Sequence, residues 1–110
     1  MIKPSKVKFI SEKLEKDFEL LDEEDFLKKS IKRAIKDLQN NAFIGIQIPK
    51  RLFPKEYIIK YGINNLWKYD LPNSWRLLYT ITREDEVQII SAILDWFNHK
   101  DYERKLRYLI

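Results

Sequence analysis

The chain contains no cysteine, a single histidine (His99), two glycines and no long apolar run. Each shortage removes a class of protein. Without cysteine there is no disulfide framework and no thiolate metal or redox centre. With one histidine the usual zinc sites are excluded too. Gly45 and Gly62 stand too far apart to build a glycine-rich loop that cradles phosphates, so no nucleotide or other small-molecule cofactor is expected. A membrane-spanning helix needs about 20 mainly apolar residues, and no segment approaches that. The opening MIKPSKVKF lacks the apolar centre of a secretion signal. The expected location is therefore the cytoplasm, with no membrane partner.

What is present describes one globular domain, residues 1–110. Hydrophobic residues make up 45% and charged residues 35% of the chain, a balance that folds rather than stays disordered. A formal net charge of +4 permits a nucleic-acid partner without demanding one. Abundant Lys, Glu and Ile with few glycines hint at a heat-adapted source.

The pattern begins with a short strand over Val7–Ile10. Ser11 offers an N-cap to a helix carrying Leu14, Phe18 and Leu21 at helical spacing. Asp22 then caps a second helix, whose apolar stripe is Leu27, Ile31, Ala34, Ile35 and Leu38 and whose end is marked by Asn40 and Asn41. Residues 42–62 hold both glycines together with Pro49 and Pro54, and read as a long ordered connection with a helical turn around Lys55 to Tyr61. From Leu66 the period changes to two. Strands are expected over Leu66–Leu71, Ser74–Thr82 and Glu86–Leu94, and a last helix over His99–Tyr108. The expected class is α+β: a strand, a two-helix hairpin and a mostly antiparallel three-stranded meander, with helices on one face of the sheet and a short C-terminal helix.

One residue stands out. In NLWKYDLPNSWRLLYTI, Arg76 interrupts an aromatic and apolar run. Alternation puts Trp75, Leu77, Tyr79 and Ile81 on one side, so Arg76 points away from the helices. A tight turn at Pro72–Asn73 would pair Tyr69 with Arg76 and give Trp67, Tyr69 and Arg76 a common face, with Lys68 opposite. A loop of odd length would reverse that pairing. A guanidinium placed so can grip a phosphate by two parallel contacts, and Tyr69 beside it could stack on a base.

The strand Trp75-Arg76-Leu77-Leu78-Tyr79, the preceding LWKYDLPNS and the ending HKDYERKL resemble the RelE/ParE superfamily of toxins, and are most similar to archaeal RelE-like proteins. The resemblance covers essentially the whole chain and includes the order of its elements. It implies a type II toxin with a cognate antitoxin as partner. RelE-type members cut mRNA in the ribosomal A site without metal, whereas ParE-type members inhibit gyrase and cut nothing. By the match, Arg76 would stabilise the phosphate, and Tyr102 would stack on a base or orient the phosphate. His99 is the one side chain whose ordinary pKa suits proton transfer at neutral pH. Trp67, Lys68, Tyr69, Lys100, Lys50 and Arg51 would contact RNA. The sequence departs from active members in carrying Trp67 and Tyr69 where they have basic residues two apart. Glu56 lies near an upstream glutamate that some relatives use as base, and the general base stays unassigned. A ParE-like gyrase inhibitor and an inactive RelE-fold binding module are the alternatives.

Overall fold

The computed structural model describes residues 2–106. Its strands are β1 (Lys6–Phe9), β2 (Ile46–Gln47), β3 (Trp67–Asp70), β4 (Arg76–Arg83) and β5 (Ile89–Phe97). Its α-helices are α1 (Glu12–Glu19), α2 (Phe26–Asn40), α3 (Lys55–Tyr61) and α4 (His99–Leu106). The strands form one mixed sheet in the order β1-β5-β4-β3-β2. β1 runs parallel to β5 and every other pair is antiparallel. The α+β class, the helical hairpin and the β3–β4–β5 meander all match the expectation from sequence.

The hairpin is fastened by side chains at its bend. Ser11 accepts a hydrogen bond from the Leu14 N–H at 3.1 Å and so caps α1. The second cap is Asp25, not Asp22: its carboxylate accepts from the Leu27 N–H at 2.8 Å. Asp22 instead closes a turn, accepting from the Glu24 N–H. Glu23 is drawn out of any helix by Lys28 and Lys32, which lie 2.6 and 3.0 Å from its two oxygens. Those contacts, with Lys28 first, hold the Glu23 carboxyl down at about 2. Lys28 itself is buried, and its ammonium also takes the carbonyls of Glu19 and Leu21, each at 3.1 Å. Those groups sit at the end of α1, where carbonyls lack helical partners and a cation is favoured.

The sheet is covered on both faces, not one. Leu14, Leu27, Ile31, Ala34 and Leu38 from α1 and α2 bury Leu77, Tyr79 and Ile93. On the other face, Tyr57 from α3 and Tyr102 and Leu106 from α4 pack on Leu66, Leu78 and Leu94. Leu78 alternates with Leu77 and Tyr79, so the second apolar set needed its own cover. That is why the Pro-containing connection does not remain a bare loop.

The ends of β1, β3 and β4 shift by one or two residues from expectation, and larger differences lie at β5 and in the connection. β5 begins at Ile89 because Asp85 closes the preceding turn, accepting from the Val87 and Gln88 N–H groups at 2.8 and 2.7 Å. It then runs on to Phe97, past a bulge at which Leu78 pairs with Asp95 while Tyr79 pairs with Ile93. Residues 46–47 add a short edge strand within the connection. The expected end of the last helix at Tyr108 lies outside the described residues.

Gly45 explains how the connection crosses the sheet. A Cβ there would stand 2.5 Å from the Lys68 carbonyl oxygen and 2.6 Å from the Tyr79 hydroxyl. The Tyr79 hydroxyl accepts from the Gly45 N–H at 3.0 Å and donates to the Ala42 carbonyl at 2.8 Å. A buried hydroxyl thus holds the whole entry to β2, and only glycine comes close enough to be held.

Candidate functional site

The geometry around Arg76 is set by the β3–β4 link. Three residues, Pro72, Asn73 and Ser74, separate the paired ends: the Leu71 N–H donates to the Trp75 carbonyl at 2.9 Å. Asn73 and Ser74 both adopt left-handed backbone, with φ of 60° and 63°. Asparagine tolerates that conformation, whereas serine is held there at a cost of about 1–2 kcal/mol.

Because the loop is odd, Asp70 pairs with Arg76 and Tyr69 with Leu77. The facing expected from a tight turn is therefore reversed. Trp67 and Tyr69 lie on the α2 side, away from Arg76. Trp67 stacks on Tyr79 with ring centres 6.2 Å apart, and the Tyr69 hydroxyl is bonded to Asp37 of α2. Lys68 and Asp70 take their place on the face of Arg76. Within β4 the expected alternation holds, with Leu77 and Tyr79 in the core against α2 and Trp75 packed on it.

Arg76 leans over the ring of Tyr102, its guanidinium carbon 5.8 Å from the ring centre. Its Nη1 donates to the Trp75 carbonyl at 3.2 Å. Its Nε stands 3.0 Å from Asp70 Oδ1, within ion-pair range but out of line for a hydrogen bond. Lys68 Nζ reaches the same Asp70 oxygen at 3.1 Å. The Lys68 and Arg76 side chains are only 18% and 19% exposed, whereas that of Asp70 is 48% exposed. One outward carboxylate is therefore shared between two inward cations, and the cluster keeps one net positive charge. An incoming phosphate would meet both cations by displacing a single half-exposed carboxylate.

The first turn of α4 completes the neighbourhood. Asn98 caps it, accepting from the Asp101 N–H at 2.9 Å. Positions 99, 102, 103 and 106 fall on one side of the helix, and Tyr102 and Leu106 are buried there. His99 lies one turn before Tyr102, half-exposed, with Nε2 2.5 Å from the Glu103 carboxylate. That contact uses Nε2–H as donor. Lys100 is exposed on the same turn.

The remaining expected residues lie apart from this cluster. Lys50 and Arg51 sit in a 3₁₀ turn (Lys50–Leu52) before α3. Glu56 pairs with Lys105 of α4 and is linked to no atom of Arg76. Asp95 is a carboxylate with no role expected from sequence, since its spacing from Asp70 and Asp101 does not suit metal ligands. It is half-buried, raised above the usual range by desolvation, and two residue pairs along the sheet from Arg76. Its charge couples to Asp17, Lys13 and Tyr57 rather than to Arg76. An aspartate within the apolar run of β5 was the available signal.

Compared with protein-family models, curated proteins and solved structures, the chain matches none. Its chemistry must be argued from its own residues. Among the described residues, no three of Asp, Glu and His gather closely enough to hold a metal ion. Nor is any helix among them long and apolar enough to cross a membrane.

Proposed function

We propose that this protein is a RelE-like toxin of a type II toxin–antitoxin pair, a metal-independent endonuclease acting on mRNA in the ribosomal A site in the cytoplasm. The observation that carries the reading is Arg76 over the Tyr102 ring, with Lys68 on the same face. In this reading Lys68 supplies positive charge on the strand before the turn, where active family members carry basic residues.

The chemistry follows from those groups. The ribose 2′-oxygen attacks the adjacent phosphorus and the bond to the 5′-oxygen breaks. One product ends in a 2′,3′-cyclic phosphate and the other in a 5′-hydroxyl. Arg76 and Lys68 stabilise the charge that grows on the non-bridging oxygens. Arg76 cannot supply a proton, because guanidinium stays charged throughout this range. His99, held by Glu103, gives a proton to the leaving 5′-oxygen in this reading, and the 2′-hydroxyl proton passes to solvent water. Asp70 must swing aside, so it acts as a latch on the two cations in the free protein.

The same ion pairs favour a second reading, an inactive RelE-fold or ParE-like protein that only binds a partner. Asp70 already engages both cations and Glu103 engages His99. Induced expression separates the readings. An endonuclease arrests growth and leaves new 5′ ends within translated mRNA, and Arg76→Ala does neither. Arrest with intact mRNA and altered supercoiling would identify a gyrase inhibitor, and no arrest an inactive module.

A further inference from the structure

A groove of about 610 Å³ opens between the start of α3 and the end of α4, lined by Arg51, Lys55, Glu56, Arg104 and Lys105 around an apolar floor. A second hollow of about 290 Å³, which includes Lys50, meets it at Phe53. Four cations thus face one carboxylate in the larger groove. Two of the four are already engaged: Lys105 with Glu56, and Arg104 with Asp101 at 3.4 Å. Among the described residues Arg51 and Lys55 take part in no ion pair, and both are exposed. Lys105 lies over the Tyr57 ring at 5.0 Å, which gives the groove a fixed cationic wall.

Position adds to charge. Tyr102 touches Arg76, and Lys105 follows on the same helix about 4.5 Å further along its axis. The groove therefore begins one helical turn from the candidate cutting site. Phe53, half-buried, lines both hollows and brings an aromatic ring among cations. That combination suits a strand whose bases are free to stack while its backbone is tracked by charge.

We propose that this groove binds a second stretch of single-stranded RNA, with phosphates on Arg51 and Lys55 and a base against Phe53. The choice of RNA rests on the function proposed above, while the groove's charge does not. A folded scaffold that lacked such a use would gain little from unpaired cations gathered on one concave surface.

The test is fluorescence anisotropy of a labelled oligouridylate titrated with purified protein between about 50 and 200 mM salt. Removing two phosphate contacts lowers the slope of log K against log salt by about 1.4, at ~0.7 per contact on a single strand. Arg51→Ala/Lys55→Ala should therefore show that change and bind roughly tenfold more weakly at physiological salt. Arg33→Ala/Lys36→Ala removes the same charge from α2, across the sheet, and should leave the slope unchanged. An equal loss in both double variants, an unchanged slope, no binding by wild type, or tighter binding of duplex RNA would each overturn the proposal. Cleavage of a defined mRNA on programmed ribosomes is followed in parallel. Groove-dependent binding without cleavage by wild type would sink the endonuclease alone, and cleavage with an unaltered slope would sink the groove alone.

Discussion

Tyr79→Phe removes one oxygen and leaves the ring where it is. The ring is fully buried and stacked on Trp67, so the variant keeps its packing. What it loses are two hydrogen bonds, from the Gly45 N–H and to the Ala42 carbonyl. Each contributes about 1 kcal/mol net, and an unsatisfied buried backbone group costs about 1–3 kcal/mol. Gly45 is half-buried, so water compensates part of the second cost. The expected loss is about 2–4 kcal/mol, a large share of the ~5–15 kcal/mol that holds a domain together. Urea denaturation should show a lower midpoint with an unchanged slope, and the melting temperature should fall by about 10 °C or more. Hydrogen exchange localises the effect: the Gly45 N–H should lose protection while the β4–β5 ladder keeps it until global unfolding. A change below about 0.5 kcal/mol, within the range of surface substitutions, would refute the idea that this hydroxyl pins residues 42–47.

Gly45→Ala should be more damaging than an ordinary glycine substitution, because the added carbon meets the Lys68 backbone oxygen at 2.5 Å. Loss of Ile46–Lys68 pairing in NMR spectra would reveal it, and a wild-type melting curve would contradict it. Lys28→Met keeps most of the buried stem but abandons the Glu19 and Leu21 carbonyls, for an expected cost of about 1–3 kcal/mol by denaturation. Stability should also decline at high pH. Burial pushes the Tyr79 hydroxyl up to about 12, and burial reinforced by Asp37 does the same for Tyr69, against an ordinary 10. The unfolded chain then loses these protons before the folded one, so their contribution is complete below pH 10 and vanishes as pH climbs through about 12. Tyr69→Phe should flatten that decline relative to wild type, and identical alkaline profiles would rule it out.

The parts of the fold that were legible are those fixed by local chemistry. Ser11 caps α1 because serine followed by an amphipathic period has few other uses. Alternation within β4 fixed which way Arg76 points, since Trp75, Leu77 and Tyr79 leave no alternative face. Four acidic residues in a row at 22–25 could each have capped α2, and the choice of Asp25 depended on lysines one and two turns later. The β3–β4 register was hidden for a different reason. A two-residue and a three-residue link look alike when the extra residue is a serine in left-handed backbone, which sequence does not announce. That single residue moves Trp67 and Tyr69 to the α2 side and brings Lys68 to Arg76. The bounds of β5 were blurred because its run from Ile89 to Leu94 is buried on both faces, which erases alternation. The cover on the second face escaped notice for another reason: the helical turn expected at Lys55 to Tyr61 is present as α3, but its packing on the sheet is a long-range contact that leaves no local signal.

The most direct measurement is cleavage of a defined mRNA on programmed ribosomes, with a single 2′-deoxy substitution placed at the mapped cut. Wild type should produce a 2′,3′-cyclic phosphate end on the all-ribose message and nothing at the substituted nucleotide. Arg76→Ala should be slower by about 10²–10³, as expected for loss of one preorganised donor to the reacting phosphate. Equal rates for wild type and Arg76→Ala, or undiminished cutting at the deoxy position, would contradict the account.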